Sequence, residues 1–272
     1  MHPGPPPVRL VLAAGAVVAA ACGDVSHPEF PRYLDDRLIV FAVLNPDSTA
    51  HPVLVWPVDE SDPLTGTAVR VYRGEDGDSE SDWTLITETS SIAELDHCFG
   101  YGRVLIGTPQ CLVPTAALDD GGNYRVEVSG DDRATASGVT SAVGSFQVNT
   151  AVLSRSSDQN TLSAAWTVSL ATHRYVASLR PHSEEGVFGL GGAGWYVELD
   201  DTTVTAPVPD DAIRDAVQPL TLDVAAFDRH LHSFITSGNG NTSFSVPPIQ
   251  NVVGGFGVVG SVRYRSLAVT EK

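Results

Sequence analysis

The reactive chemistry of this 272-residue chain is concentrated in three cysteines, and their surroundings assign them two different tasks. Cys22 follows an apolar run from Val8 to Ala21 that starts beside Arg9 and closes on Ala19-Ala20-Ala21. A positive start, a short apolar stretch and small residues before the cut make a secretory signal. The stretch is roughly 14 residues, shorter than the ~20 a membrane-spanning helix needs. Cys22 stands where signal peptidase II leaves a thiol for a diacylglycerol, so residues 1–21 are expected to be a lipoprotein signal and Cys22 the lipidation site. An ordinary secretory signal cut at the same Ala-x-Ala is the plainer alternative. Cys98 and Cys111 are left over, and an exported compartment permits them to oxidise to a disulfide. Closing a loop of that size stabilises by roughly 3 kcal/mol in the chain-entropy picture. The CxxC pairs of a structural zinc site are absent.

Other chemistry-bearing patterns are weak. No Gly-x-Ser-x-Gly elbow occurs. Gly255-Phe-Gly257-Val-Val-Gly260 matches a dinucleotide fingerprint, but that fingerprint opens a helix and here a β-rich tail follows, so a glycine bulge or tight hairpin is expected. Asp228 and His232 share a helical face while His230 turns away, which suits a local Asp228–His232 pair on a polar face better than a metal site. The acidic run Glu75-Asp76-Gly77-Asp78-Ser79-Glu80-Ser81-Asp82 lacks the EF-hand spacing; it reads as a solvated loop, with calcium left open. Among the tryptophans, Trp56 and Trp166 alternate as core residues. Trp195 and Tyr196 follow the glycine-rich Gly189–Gly194 stretch and form a candidate contact loop. Paired carboxylates for glycoside hydrolysis leave no local signature. No catalytic residue, metal or cofactor is expected.

The elements that must position these residues are β-strands. Short β-branched and aromatic runs separated by Gly, Pro, Asp and Asn mark strands at Leu38–Leu44, Val53–Pro57, Ala68–Arg73, Trp83–Thr87, Tyr124–Ser129, Ala134–Val139 and Ser145–Asn149. This set suits an immunoglobulin-like sandwich over residues 33–150, behind a tether over 22–32. The Asp-Gly-Gly-Asn stretch before Tyr124 fits a hairpin corner with a buried tyrosine. A second β-rich domain, 151–272, is expected to hold strands at Leu162–Ser169, Tyr175–Leu179, Gly194–Leu199, Thr203–Ala206, Leu220–Val224 and Val258–Val269. Its one convincing helix, near 224–236, would be capped by Asp223 and bury Val224, Phe227, Leu231, Phe234 and Ile235. The segment Pro209–Val217 adds a short helical turn. The expected fold class is therefore all-β with one short helix.

Taken in order, Cys22, Leu38-Ile-Val-Phe-Ala-Val-Leu44, Thr65-Gly-Thr-Ala-Val-Arg-Val-Tyr72, Gly122-Asn-Tyr-Arg-Val-Glu-Val128 and Pro247-Pro-Ile-Gln-Asn-Val-Val-Gly-Gly-Phe-Gly-Val-Val259 resemble a family of bacterial outer-membrane lipoproteins, the domain of unknown function (DUF) 4249 (DUF4249). The last string resembles the family's Asn, apolar, Gly-Gly, apolar, Gly, apolar ending. The resemblance implies an immunoglobulin-like N-terminal sandwich, a β-rich C-terminal part and association with TonB-dependent outer-membrane transport. It implies no catalytic residue.

A formal net charge of −17 argues against nucleic acid and anionic lipid headgroups as partners of the folded part. The expectation is a non-enzymatic lipoprotein of the bacterial cell envelope, held at the outer membrane through Cys22, with a TonB-dependent receptor or another envelope protein as partner. Two alternatives stand beside it, a glycan-binding or glycan-active module and a structural adhesin.

Overall fold

The computed structural model describes residues 36–58, 64–74, 83–98, 109–181, 195–210, 213, 219–238 and 250–272. The signal, the tether with Cys22 and the acidic run 75–82 lie outside the described residues, as does most of Pro209–Val217.

The strands are β1 (Leu38–Leu44), β2 (Val53–Pro57), β3 (Ala68–Gly74), β4 (Trp83–Thr89), β5 (Ile92–Ala93), β6 (Gln110–Leu112), β7 (Asn123–Ser129), β8 (Ala136–Ser141) and β9 (Val148–Ser154). They continue as β10 (Asn160–Trp166), β11 (Arg174–Pro181), β12 (Tyr196–Leu199), β13 (Thr203–Val208), β14 (Leu220–Phe227), β15 (Val252–Val253), β16 (Phe256–Ala268) and β17 (Thr270–Glu271). Helix α1 (Arg229–Gly238), the one fully described α-helix, falls between β14 and β15. The fold is all-β with one short helix, as the strand-rich patterning predicts.

One sheet runs through both halves of the chain. Its order is β12-β11-β14-β16-β1-β2-β6-β5, and the parallel pairing of β16 with β1 sets Ile39 beside Phe256 and Leu44 beside Ser261. Two smaller sheets, β15-β8-β7-β3-β4 and β13-β10-β9-β17, pack side by side on one face of it. Beneath the first lies a core of Leu38, Val40, Val53, Val69, Val126 and Val259; beneath the second lies one of Leu153, Leu162, Tyr175, Leu222 and Val224. The boundary drawn at residue 150 falls inside β9, and residues Asp35–Lys272 form one unit through the shared sheet.

Strand β16 serves both cores, because its inward residues change character along its length. Val259 belongs to the first core and Leu267 packs against the second. Between them the same face carries Ser261, Arg263 and Arg265. The Ser261 hydroxyl accepts the Val143 N–H at 3.0 Å. Arg263, 4 % exposed in its side chain, reaches Asp120 at 2.8 Å and Asp47 at 3.3 Å, and Arg265 meets Asp47 as well. A charge so buried is tolerated only when paired. The seam between the two cores is therefore polar.

Each core is braced by a buried tyrosine. The Tyr124 hydroxyl accepts the Asp119 N–H at 2.7 Å, as the corner before β7 predicts, and the Tyr175 hydroxyl accepts the Ser169 N–H at 2.8 Å. The glycine run 254–260 makes neither a hairpin nor a cofactor loop. Val252 and Val253 pair with β8 in the five-stranded sheet, whereas Phe256 onward pairs with β1 in the large one. Gly254, at φ +77°, sits at the switch between sheets, where a Cβ would meet the Thr135 carbonyl oxygen at 2.2 Å.

The helix begins later than its apolar spacing suggests. Val224 to Phe227 are strand, paired on one side with β11 and on the other with β16. The same residues satisfy a period of two, with Val224 and Ala226 in the second core and Ala225 and Phe227 on the opposite face. Two flanking strands supply every backbone partner there, so strand wins over helix. The cap is Asp228 and not Asp223, which instead pairs with Arg180 and Ser266. Helix α1 covers the outer face of the large sheet through Leu231, Phe234 and Ile235.

Candidate functional site

The Cys98–Cys111 disulfide is formed, with Cα atoms 6.0 Å apart. It ties the short 3-10 turn Leu95–His97 to β6, and both cysteines are wholly buried against Leu54 with Phe41 and Trp56 beside them. Residues 99–108 of the closed loop lie outside the described residues.

The candidate contact pair splits. Trp195 turns inward, 8 % exposed, into the second core, where its indole N–H donates to the Pro207 carbonyl at 2.8 Å. Tyr196 turns outward and is 56 % exposed. Strand alternation puts Glu198 on the same face as Tyr196 at the open edge of the large sheet.

Helix α1 brings its side chains to that edge. Asp228 accepts the Leu231 N–H at 2.9 Å on one carboxylate oxygen and the Thr140 hydroxyl on the other. This is N-capping from a buried position, with a strand of the five-stranded sheet as second donor. Burial raises the Asp228 pKa, against the hydrogen bonds from Thr140, Leu231 and Ser261. One turn on, His232 sits over Phe227 with its ring edge-on to His173, centroids 5.6 Å apart. Its Nε2 lies 3.4 Å from Glu198 Oε2. The expected side-chain pair of Asp228 with His232 is therefore replaced by His232 with Glu198, because the cap role and Thr140 occupy the Asp228 carboxylate.

Burial lowers the His232 pKa; the Glu198 charge opposes this, while His173 and Arg174 add to it. Burial thus favours the neutral imidazole, which stands next to a carboxylate in a recess lined by Tyr196, Glu198, His232 and Thr236 over Val176, Phe227 and Ile235. The recess offers ≈ 20 Å³, about the space of one water. It is large enough for a water beside the imidazole and the carboxylate. Among the described residues no group of three or more His, Cys, Asp and Glu is arranged to hold a metal ion, and His230 stands apart from His232.

Of the remaining tryptophans, Trp166 packs against Tyr175 in the second core and Trp56 lines the disulfide cluster. Trp83 lies on the outer face of the five-stranded sheet, where Arg125 stands over its ring at 5.4 Å and over that of Tyr72 at 4.4 Å. Neither this group nor the approach of His173 and Glu198 to His232 has a signature in local spacing, since only the pairing of the strands and the packing of α1 on the large sheet join them.

No protein-family model matches the chain, and no curated protein matches it at a significant level.

Proposed function

We propose that the chain is a non-enzymatic, lipid-anchored protein of the bacterial cell envelope, a binding or accessory component of an outer-membrane, TonB-linked uptake or envelope assembly. The observation that carries this reading is the allotment of its cysteines. Cys98 and Cys111 are paired and buried, which suits an oxidising, exported compartment, and Cys22 alone is left at the end of the leader. The resemblance of the mature chain to the DUF4249 lipoproteins points the same way. The several acyl chains of a mature lipoprotein would hold the protein firmly, where a single chain binds only reversibly.

Fractionation of a Cys22→Ala variant tests the anchor. The wild type is expected in the membrane fraction after a carbonate wash and the variant in the soluble fraction; retention of the variant refutes the lipid anchor. Crosslinking in the intact envelope tests the assembly: stoichiometric capture of a TonB-dependent receptor supports it, and specific capture of nothing refutes it.

A further inference from the structure

The five-stranded sheet has one face on the first core and one face open, and pairing across it orders the open face into three rows perpendicular to the strands. One row is Ser141–Asn123–Gly74–Trp83, the next Val139–Arg125–Tyr72–Leu85, and the third Val253–Ser137–Glu127–Arg70–Glu88. Val139 is 44 %, Leu85 48 % and Val253 75 % exposed, so solvent reaches across the sheet.

The third row is paired internally, with two carboxylates to one cation. Arg70 meets Glu88 at 2.9 Å and Glu127 at 3.3 Å. The middle row is not. Arg125 is held by two rings, 4.4 Å from the Tyr72 centroid and 5.4 Å from that of Trp83. Its Nε is buried without a hydrogen-bond partner, and no carboxylate among the described residues pairs with it. A guanidinium flanked by aromatic rings and paired with no described carboxylate is a preorganised fork, the geometry that recognises a carboxylate by two parallel hydrogen bonds.

The first row supplies what a sugar ring needs. The Trp83 indole lies across Gly74, where a Cβ would stand 2.9 Å from its ring. Asn123 is oriented by the Ser141 hydroxyl, which donates to its Oδ1 at 2.7 Å and leaves the amide N–H groups unspent. The middle row crosses four strands, about 14 Å at ~4.8 Å per strand, close to the length of three linked pyranose rings. A chain of net charge −17 repels polyanions over distance, which favours short or sparsely charged ligands.

We infer that this open sheet face is a binding platform for carboxylate-bearing glycans of the hexuronate type, with Arg125 receiving the carboxylate and Trp83 and Asn123 the adjoining sugar. The inference is independent of the lipid anchor. Calorimetric titration of the full chain with trigalacturonate, with neutral cellotriose beside it, is the test. Trigalacturonate is expected to bind and cellotriose not to. Arg125→Lys, which keeps the charge and loses the fork, is expected to weaken binding ten-fold or more, and Trp83→Ala several-fold. Absence of trigalacturonate binding, equal binding of cellotriose, or an Arg125→Lys variant that binds like the wild type overturns the platform. The Trp83 indole N–H resonance of the wild type provides a readout free of any substitution: it must shift on adding trigalacturonate, and an unmoved signal also overturns the proposal.

Discussion

A Cβ on Gly257 would stand 1.9 Å from the carbonyl oxygen of Val40, its parallel partner on β1, and Gly257 sits at φ +108°. Close approach and a backbone region closed to L side chains coincide at one residue. Gly257→Ala is expected to cost about 3 kcal/mol, within the range of strained and overpacked sites. Gly121, at φ +74° with nearest side-chain atoms 3.6 Å away, is the control; its alanine variant is expected to lose only about 1 kcal/mol. Urea denaturation of both variants measures the difference.

Breaking the Cys98–Cys111 bond by a Cys98→Ala, Cys111→Ala double substitution is expected to cost about 3 kcal/mol, the loop-closure value for a short ring. The wild type treated with a reductant should unfold at the same denaturant concentration as the double variant. A midpoint unchanged by either treatment would show that burial against Leu54 alone holds this corner.

Asp228 and the buried histidines pull stability in opposite directions with pH. Burial raises the Asp228 pKa, so its contribution is complete below the ordinary carboxylate range and is lost as pH rises through the raised value. Asp228→Asn keeps a capping oxygen without a charge, and is expected to match or exceed the wild type at pH 7 and to lose its advantage in acid. Asp228→Ala removes the cap and should cost about 1 to 2 kcal/mol. Thermal melts across pH 3 to 8 separate the two.

His51 and His232 both have pKa values lowered by burial. Their neutral forms stabilise the fold above the ordinary histidine pKa near 6.5, and that contribution is lost as pH falls through the depressed values. Because the Glu198 charge favours the imidazolium, Glu198→Gln is expected to lower the His232 pKa further. Proton NMR titration of the imidazole Cε1–H signal reads the shift directly, and an upward move would contradict the pairing.

Where one face of a strand is buried and the other wet, the sequence discloses it: β1 and β2 fall at their predicted residues, and β3 and β7 within one residue of theirs. The buried tyrosine before β7 was equally legible, since the turn residues and the alternation agree. The helix start was not, because Val224 to Phe227 fit a period of two and a period of 3.6 alike, and only the flanking β11 and β16 decide between them. Strands of two or three residues such as β5, β6 and β15 carry too few side chains for any period. The pairing of Cys98 with Cys111 was readable from the cysteine count together with the expectation of an exported compartment. Trp195 and Tyr196 were read as one unit, but alternation at the head of β12 sends them to opposite sides. The groups around His232 and Arg125 come from strands and a helix far apart in the chain, so their meeting exists only after the sheets are paired.

The parallel contact of β16 with β1 also sets an order of events in time. The first core takes Val259 from a strand near the C-terminus, so a nascent chain that has released β1 through β8 still lacks that side chain and the β16 partner of β1. Long-range pairing of this kind makes folding slow and leaves strand edges open while it is pending. The consequence is that the N-terminal half must wait, with one edge of β1 unpaired, until nearly the whole polypeptide is available. A fragment ending at residue 150 would then be an aggregation-prone sheet and not a smaller version of the protein.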